Sequence, residues 1–133
     1  MEEYNSLKHA SHNEEVCNCL LKFGYNDWII TTAFYTALHY MRSKLFPLVF
    51  NYKNKQRKTA DFDHYCNVVR SCKSKHQIMV QLIEDNCDLR IAATYKHLMD
   101  TCMTARYSHY QFEEKITQKA VYRMMEIKRY STH

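Results

Sequence analysis

Residues 26–46, NDWIITTAFYTALHYMRSKLF, decide the fold. Ile30, Ala33, Phe34, Ala37, Leu38, Met41 and Leu45 recur in steps of three and four, which places them on one side of a helix. Trp28, Thr32, Tyr35, His39 and Phe46 fall on a second side, aromatic but carrying two polar groups. A helix apolar on nearly all sides belongs at the centre of a bundle. At 1.5 Å per residue it spans roughly 30 Å, the depth of a small domain. Pro47 ends it, because proline lacks an N–H and disfavours helix in the residue before it. Asn26 or Asp27 is the expected cap of its first turn. The stretch is too polar and too interrupted for a membrane span.

Upstream, residues 2–23 read as a first helix, with Leu7, Ala10, Cys17, Leu20 and Leu21 in one stripe and Asn13 among them. Gly24, the only glycine, stands where a helix end needs a left-handed residue. The short turn that follows makes the first two helices antiparallel neighbours. Downstream of Pro47, NYKNKQRKTADFD is polar, basic and without periodicity, and reads as the longest loop. One glycine, one proline and no Asn-Gly or Asp-Gly pair speak against hairpins. A short helix over residues 64–72 carries Tyr65, Val68 and Val69. Ser74 is placed to cap the next, whose His76, Met79, Val80 and Ile83 share a side. Asp88 is placed to cap a long helix to about residue 110, with Ile91, Tyr95, Leu98, Cys102, Ala105 and His109 in its stripe. The last helix, from about Glu113 to Arg129, turns Phe112, Ile116, Ala120, Met124 and Ile127 inward, and its acidic start and basic end suit the helix dipole. The expectation is an all-α chain: one antiparallel up-and-down bundle of four to five helices.

A chain of 133 residues is long enough for one hydrophobic core. Its formal charge of +5 is uneven: residues 42–75 hold nine Lys or Arg against Asp61 and Asp63. Such a segment suits a phosphate-bearing partner, and equally an ordinary solvated face. The six cysteines have no Cys-x-x-Cys spacing, and Cys17-x-Cys19 would point its sulfurs about 200° apart on a helix. They read as reduced thiols packed as small apolar residues, with no metal and no cofactor. The acidic start Met-Glu-Glu-Tyr is unlike a secretory signal, so a cytoplasmic protein is expected.

Several motifs occur in a recognisable order. His9-x3-Asn13, Asn26-Asp27-Trp28 and Ala33-Phe34-Tyr35-x-Ala37-Leu38-His39-Tyr40 lie in the first half. Lys75-His76, Tyr95-x2-Leu98 and Ala105-Arg106-Tyr107-x2-Tyr110 lie in the second. Together they resemble small bacterial HEPN-domain proteins, whose second helix often carries "A-F-Y-x-A-L-H". The ending resembles the "A-R-x-x-D-Y" run of other HEPN domains, with His109 where aspartate is usual. The resemblance implies a helical bundle that dimerises. It also implies a component of a bacterial defence or toxin–antitoxin-type system, antiviral or abortive, that binds RNA or cleaves it without metal at a site shared by two protomers. Other HEPN domains are non-catalytic modules that dock partner proteins, which is the alternative.

The family hallmark is Arg-x4–6-His. Arg57-x6-His64, Arg70-x5-His76 and Arg90-x6-His97 meet that spacing, but none has the favoured Asn, Asp or His after its arginine. Metal-free RNA cleavage needs a base near neutral pKa and a cation on the phosphorane, which histidine and arginine supply. The resemblance picks out His39, His76, Arg106 and His109 as candidate catalytic residues. Each also has an ordinary reading, as a satisfied core or seam side chain. Lys53, Lys55, Arg57, Lys58 and Tyr107 are the candidate RNA-binding residues. The expected partners are a second copy of the chain, RNA, and a protein of the same defence system.

Overall fold

The computed structural model describes residues 5–107 and 111–133. Within them lie six helices and one hairpin: α1 (Ser6–Leu21), α2 (Asn26–Leu45), β1 (Leu48–Tyr52), β2 (Lys55–Thr59), α3 (Phe62–Val69), α4 (Lys75–Asn86), α5 (Leu89–Tyr107) and α6 (Glu114–Ser131). The α2 helix is central, packed against α1, α5 and α6. Ile30, Ala33, Phe34, Ala37 and Met41 are all 0 % exposed, so the apolar side lies wholly in the core. Its threonines satisfy their own hydroxyls by donating to carbonyls one turn back, Thr31 to Asp27 O at 2.8 Å and Thr36 to Thr32 O at 2.7 Å.

Neither Asn26 nor Asp27 caps α2. The cap residue is Tyr25, with no side-chain bond, and Asn26 Nδ2 instead donates to Phe112 O at 2.9 Å. That bond ties the start of α2 to the segment entering α6. Other caps follow the sequence. Ser74 and Gln77 form a reciprocal capping box on α4, Asp88 Oδ1 accepts from Arg90 N at 2.8 Å at the start of α5, and Gly24 takes φ +72°. On α6 the inward side is shifted from expectation. Ile116 is 39 % exposed and Thr117 is buried in its place, above Ala120, Met124 and Ile127.

The principal departure is the basic segment after Pro47, which is a hairpin rather than a loop. Leu48 pairs with Thr59 and Tyr52 with Lys55 in antiparallel register. The two turn residues, Lys53 and Asn54, both take positive φ (50° and 65°). This turn geometry fits the right-handed twist of a strand pair, and it is made here without glycine. Leu48, Phe50 and Tyr52 alternate inward on β1, and the Phe50 ring sits 4.9 Å from Tyr65 on α3. Only Thr59 of β2 is buried, so its basic side chains face solvent. No described helix is long and apolar enough to cross a membrane.

A polar node closes the other side of α2. Glu14 on α1 accepts from the Tyr40 hydroxyl at 2.7 Å and pairs with Lys128 Nζ at 2.9 Å. One carboxylate therefore links α1, α2 and α6, and it lets Tyr40 be buried with its hydroxyl satisfied.

Candidate functional site

Tyr35, Leu38, His39 and Arg42 follow one another along α2 in steps of three, one and three, and so form a single strip. The first turn of α4 brings Lys75, His76 and Met79 against that strip. Together they line a cleft of about 260 Å³. A second cleft, of about 530 Å³, lies beyond Arg42 and is walled by Asn5, Ser43, Phe46, Asp61 and Phe62 among others. Arg42 lines both.

From α5, Arg106 reaches the Tyr35 hydroxyl and donates to it through Nη1. Its guanidinium carbon lies 5.6 Å from the Tyr35 ring centroid and 5.0 Å from that of Tyr107. From α1, His9 stacks on His39 with ring centroids 3.7 Å apart. His76 is half-buried with its ring 5.8 Å from that of Phe34. Arg42 lays its guanidinium over Phe62, 4.6 Å from the centroid, while its Nε is sealed from solvent without a hydrogen-bond partner.

The electrostatics have one sign. Burial first, then His9 and Arg42, pushes His39 down to about 3. Burial, then Arg106 and Arg42, holds His76 below the ordinary 6.5. Burial, His12 and Arg42 lower His9 in the same direction. Arg42 lowers all three imidazoles, and Arg106 lowers His76 as well. With pKa values below 6.5 all three are mainly neutral at pH 7, and a neutral imidazole can accept a proton. The Tyr35 phenol is raised by burial, against the lowering field of Arg106.

The sequence candidates divide accordingly. His39 and His76 line the smaller cleft, and Arg106 bonds to Tyr35 of its wall. Tyr107 stands exposed beside Arg106. His109 lies outside the described residues. Lys53, Lys55, Arg57 and Lys58 are exposed on the hairpin, and none lines either cleft. Members of the three spaced Arg/His pairs take other roles. Arg70 is the left-handed end of α3, His64 Nδ1 accepts from Ala60 N, and Arg90 pairs with Glu126 at 3.8 Å.

Arg42, which lines the groove, and His9, which stacks on His39 behind it, were not among the sequence candidates. The signal for Arg42 was its spacing, seven residues beyond Tyr35 and three beyond His39. For His9 the only signal was its place in the His9-x3-Asn13 motif; the antiparallel packing of α1 on α2 is what brings it onto His39. Among the described residues no cluster of ligands is disposed to hold a metal ion. No family model, no curated protein and no solved structure matches the chain.

Proposed function

We propose that the chain is a HEPN-like RNA-cleaving or RNA-binding protein, working as a homodimer in a bacterial defence or toxin–antitoxin-type system. One observation carries the reading: His76 lines a cleft whose Tyr35 wall is held by Arg106 from another helix, close enough for its charge to lower the His76 pKa. In this reading His76 takes the proton of a ribose 2′-hydroxyl, and the freed oxygen attacks the neighbouring phosphorus. The bond to the 5′-oxygen breaks, leaving a 2′,3′-cyclic phosphate, and the 5′-oxygen takes a proton from the imidazolium or from water. Arg106 stabilises the charge that develops on the phosphoryl oxygens, its orientation fixed by Tyr35.

The experiment is cleavage of a mixed-sequence RNA by the parent and by His76→Ala and Arg106→Ala. Loss of the base is expected to slow cleavage by about 10²–10⁴-fold. Loss of the charge stabiliser is expected to cost about 10²–10³-fold. Both variants should melt with the parent, since Arg106 is exposed and His76 only half-buried. An inactive parent, or folded variants as fast as the parent, rejects the enzyme.

The scaffold reading has its own observation. Phe23, Tyr25 and Trp28, at the turn between α1 and α2, are 70 %, 60 % and 58 % exposed. Exposed aromatic rings grouped in this way suit a protein surface better than a nucleic-acid groove.

A further inference from the structure

A half-buried arginine normally has a carboxylate beside it, because desolvating an unpaired cation is costly. Arg42 has none: the ion pairs among the described residues are Lys75–Asp63, Arg90–Glu126 and Lys128–Glu14. Asp61 lines the larger cleft with Arg42, but its carboxylate accepts from His64 N at the start of α3 and stands beyond ion-pair distance of the guanidinium. Phe62 takes one face of the guanidinium and fixes its plane. Nε is closed off without a partner. The charge is felt at His9, His39 and His76 and as deep as Tyr95, whose phenol burial otherwise raises. Arg42 is thus a held cation at the junction of two clefts, with imidazoles on one side.

We propose that Arg42, with His39 and His76, is a binding site for one phosphoryl group, and that Arg42 is its anchor. A guanidinium offers a planar fork that fits two oxygens of a tetrahedral anion. His76 approaches from α4 rather than α2, so donors come from more than one direction, as a tetrahedral rather than a planar anion requires. The first-turn amides of Lys75 and His76 add the positive end of α4, since no helical carbonyl accepts from them. The proposal deepens the RNA reading, on which it rests for the phosphate's source, but it does not require cleavage.

The test follows the imidazole resonances of the full chain by NMR during titration with inorganic phosphate, and separately with a short single-stranded RNA. Binding should shift His39 and His76 and raise their pKa values, while the exposed His64 and His97 stay still. Arg42→Gln should weaken binding by about 10–100-fold, the usual cost of a lost charge-assisted pair. Arg42→Lys, which keeps the charge but not the fork, should fall between the two. Should Arg42→Gln unfold, Arg42→Lys alone decides by its loss of affinity. Response to inorganic phosphate supports a site for free phosphoryl groups as well as RNA. Response to RNA alone confines the site to the phosphodiester backbone. No shift with either ligand, or a folded Arg42 variant that binds like the parent, overturns it. Phosphate binding in a protein that cuts no RNA would reject the nuclease and leave this site standing.

Discussion

His39 is 7 % exposed, stacked on His9 and within the field of Arg42, and these three facts set how its proton depends on pH. Its folded pKa of about 3 lies below the ordinary 6.5, so the unfolded chain takes up the proton first as pH falls. The stability that neutral His39 contributes is therefore complete above about pH 6.5 and is lost progressively toward pH 3. His9 and His76 act in the same direction. Denaturant midpoints measured at pH 7 and pH 4 should accordingly differ less in His39→Gln than in the parent. Equal differences in the two proteins would mean that the groove does not hold His39 neutral. A phosphate ligand should reverse the trend, because an anion beside an imidazole favours its charged form. At this scale the sequence was half legible. Tyr35, His39 and Arg42 share a helix face by spacing alone. That Phe62, twenty residues beyond Arg42, supplies the ring beneath the guanidinium is a property of the chain's path and has no local signature.

The hairpin shows why an element can be missed while its neighbours are read correctly. The α2, α4 and α5 helices announce themselves by periodicity, and α4 and α5 also by the oxygen-bearing residues before them, Ser74 and Asp88. The hairpin's turn carries Lys53 and Asn54 where glycine is the usual marker, so a search for turn residues passes over it. The alternation of Leu48, Phe50 and Tyr52 was present but short, and the polar β2 offers none to pair with it. On α6 the error was one of phase. Thr117 is buried because the inward side runs 117, 120, 124 and 127, and a threonine there looks polar in sequence. The hairpin's basic outer strand is an edge that lysine keeps from pairing with other strands. If the protein binds RNA, this edge is expected to contribute phosphate contacts without sequence preference. Each lost contact lowers the slope of log affinity against log salt by roughly 0.7 for a single strand. Replacing Lys53, Lys55, Arg57 and Lys58 together with Ser should flatten that slope and weaken RNA binding, while the phosphate response at Arg42 persists. An unchanged slope in a folded variant would remove the hairpin from RNA recognition.

For the whole molecule the question is what covers the end of the bundle where α1 turns into α2. The core helix buries its apolar side on α1, α5 and α6, and His39 and Phe34 are enclosed as well. Its first turn is different: Trp28 is 58 % exposed, beside Tyr25 at 60 % and Phe23 at 70 %. Aromatic side chains offer about 150–250 Å² each, so the exposed parts of these three amount to roughly 400 Å². That is about half of one partner's share of a standard interface, and aromatic rings are what such interfaces concentrate at their centres. A second copy of the chain is the partner that the RNA reading requires. The parent should therefore scatter light as a particle of twice the 16.1 kDa chain mass at micromolar concentration. Phe23→Ser, Tyr25→Ser and Trp28→Ser combined should halve that mass without lowering the helical signal, because none of the three belongs to the core. If two protomers share the RNA site, the monomeric variant should also lose cleavage although His76 and Arg106 are intact. A parent that is monomeric throughout would reject the dimer. A dimer untouched by the triple change would place the interface on another face, and would leave the aromatic corner to a partner protein.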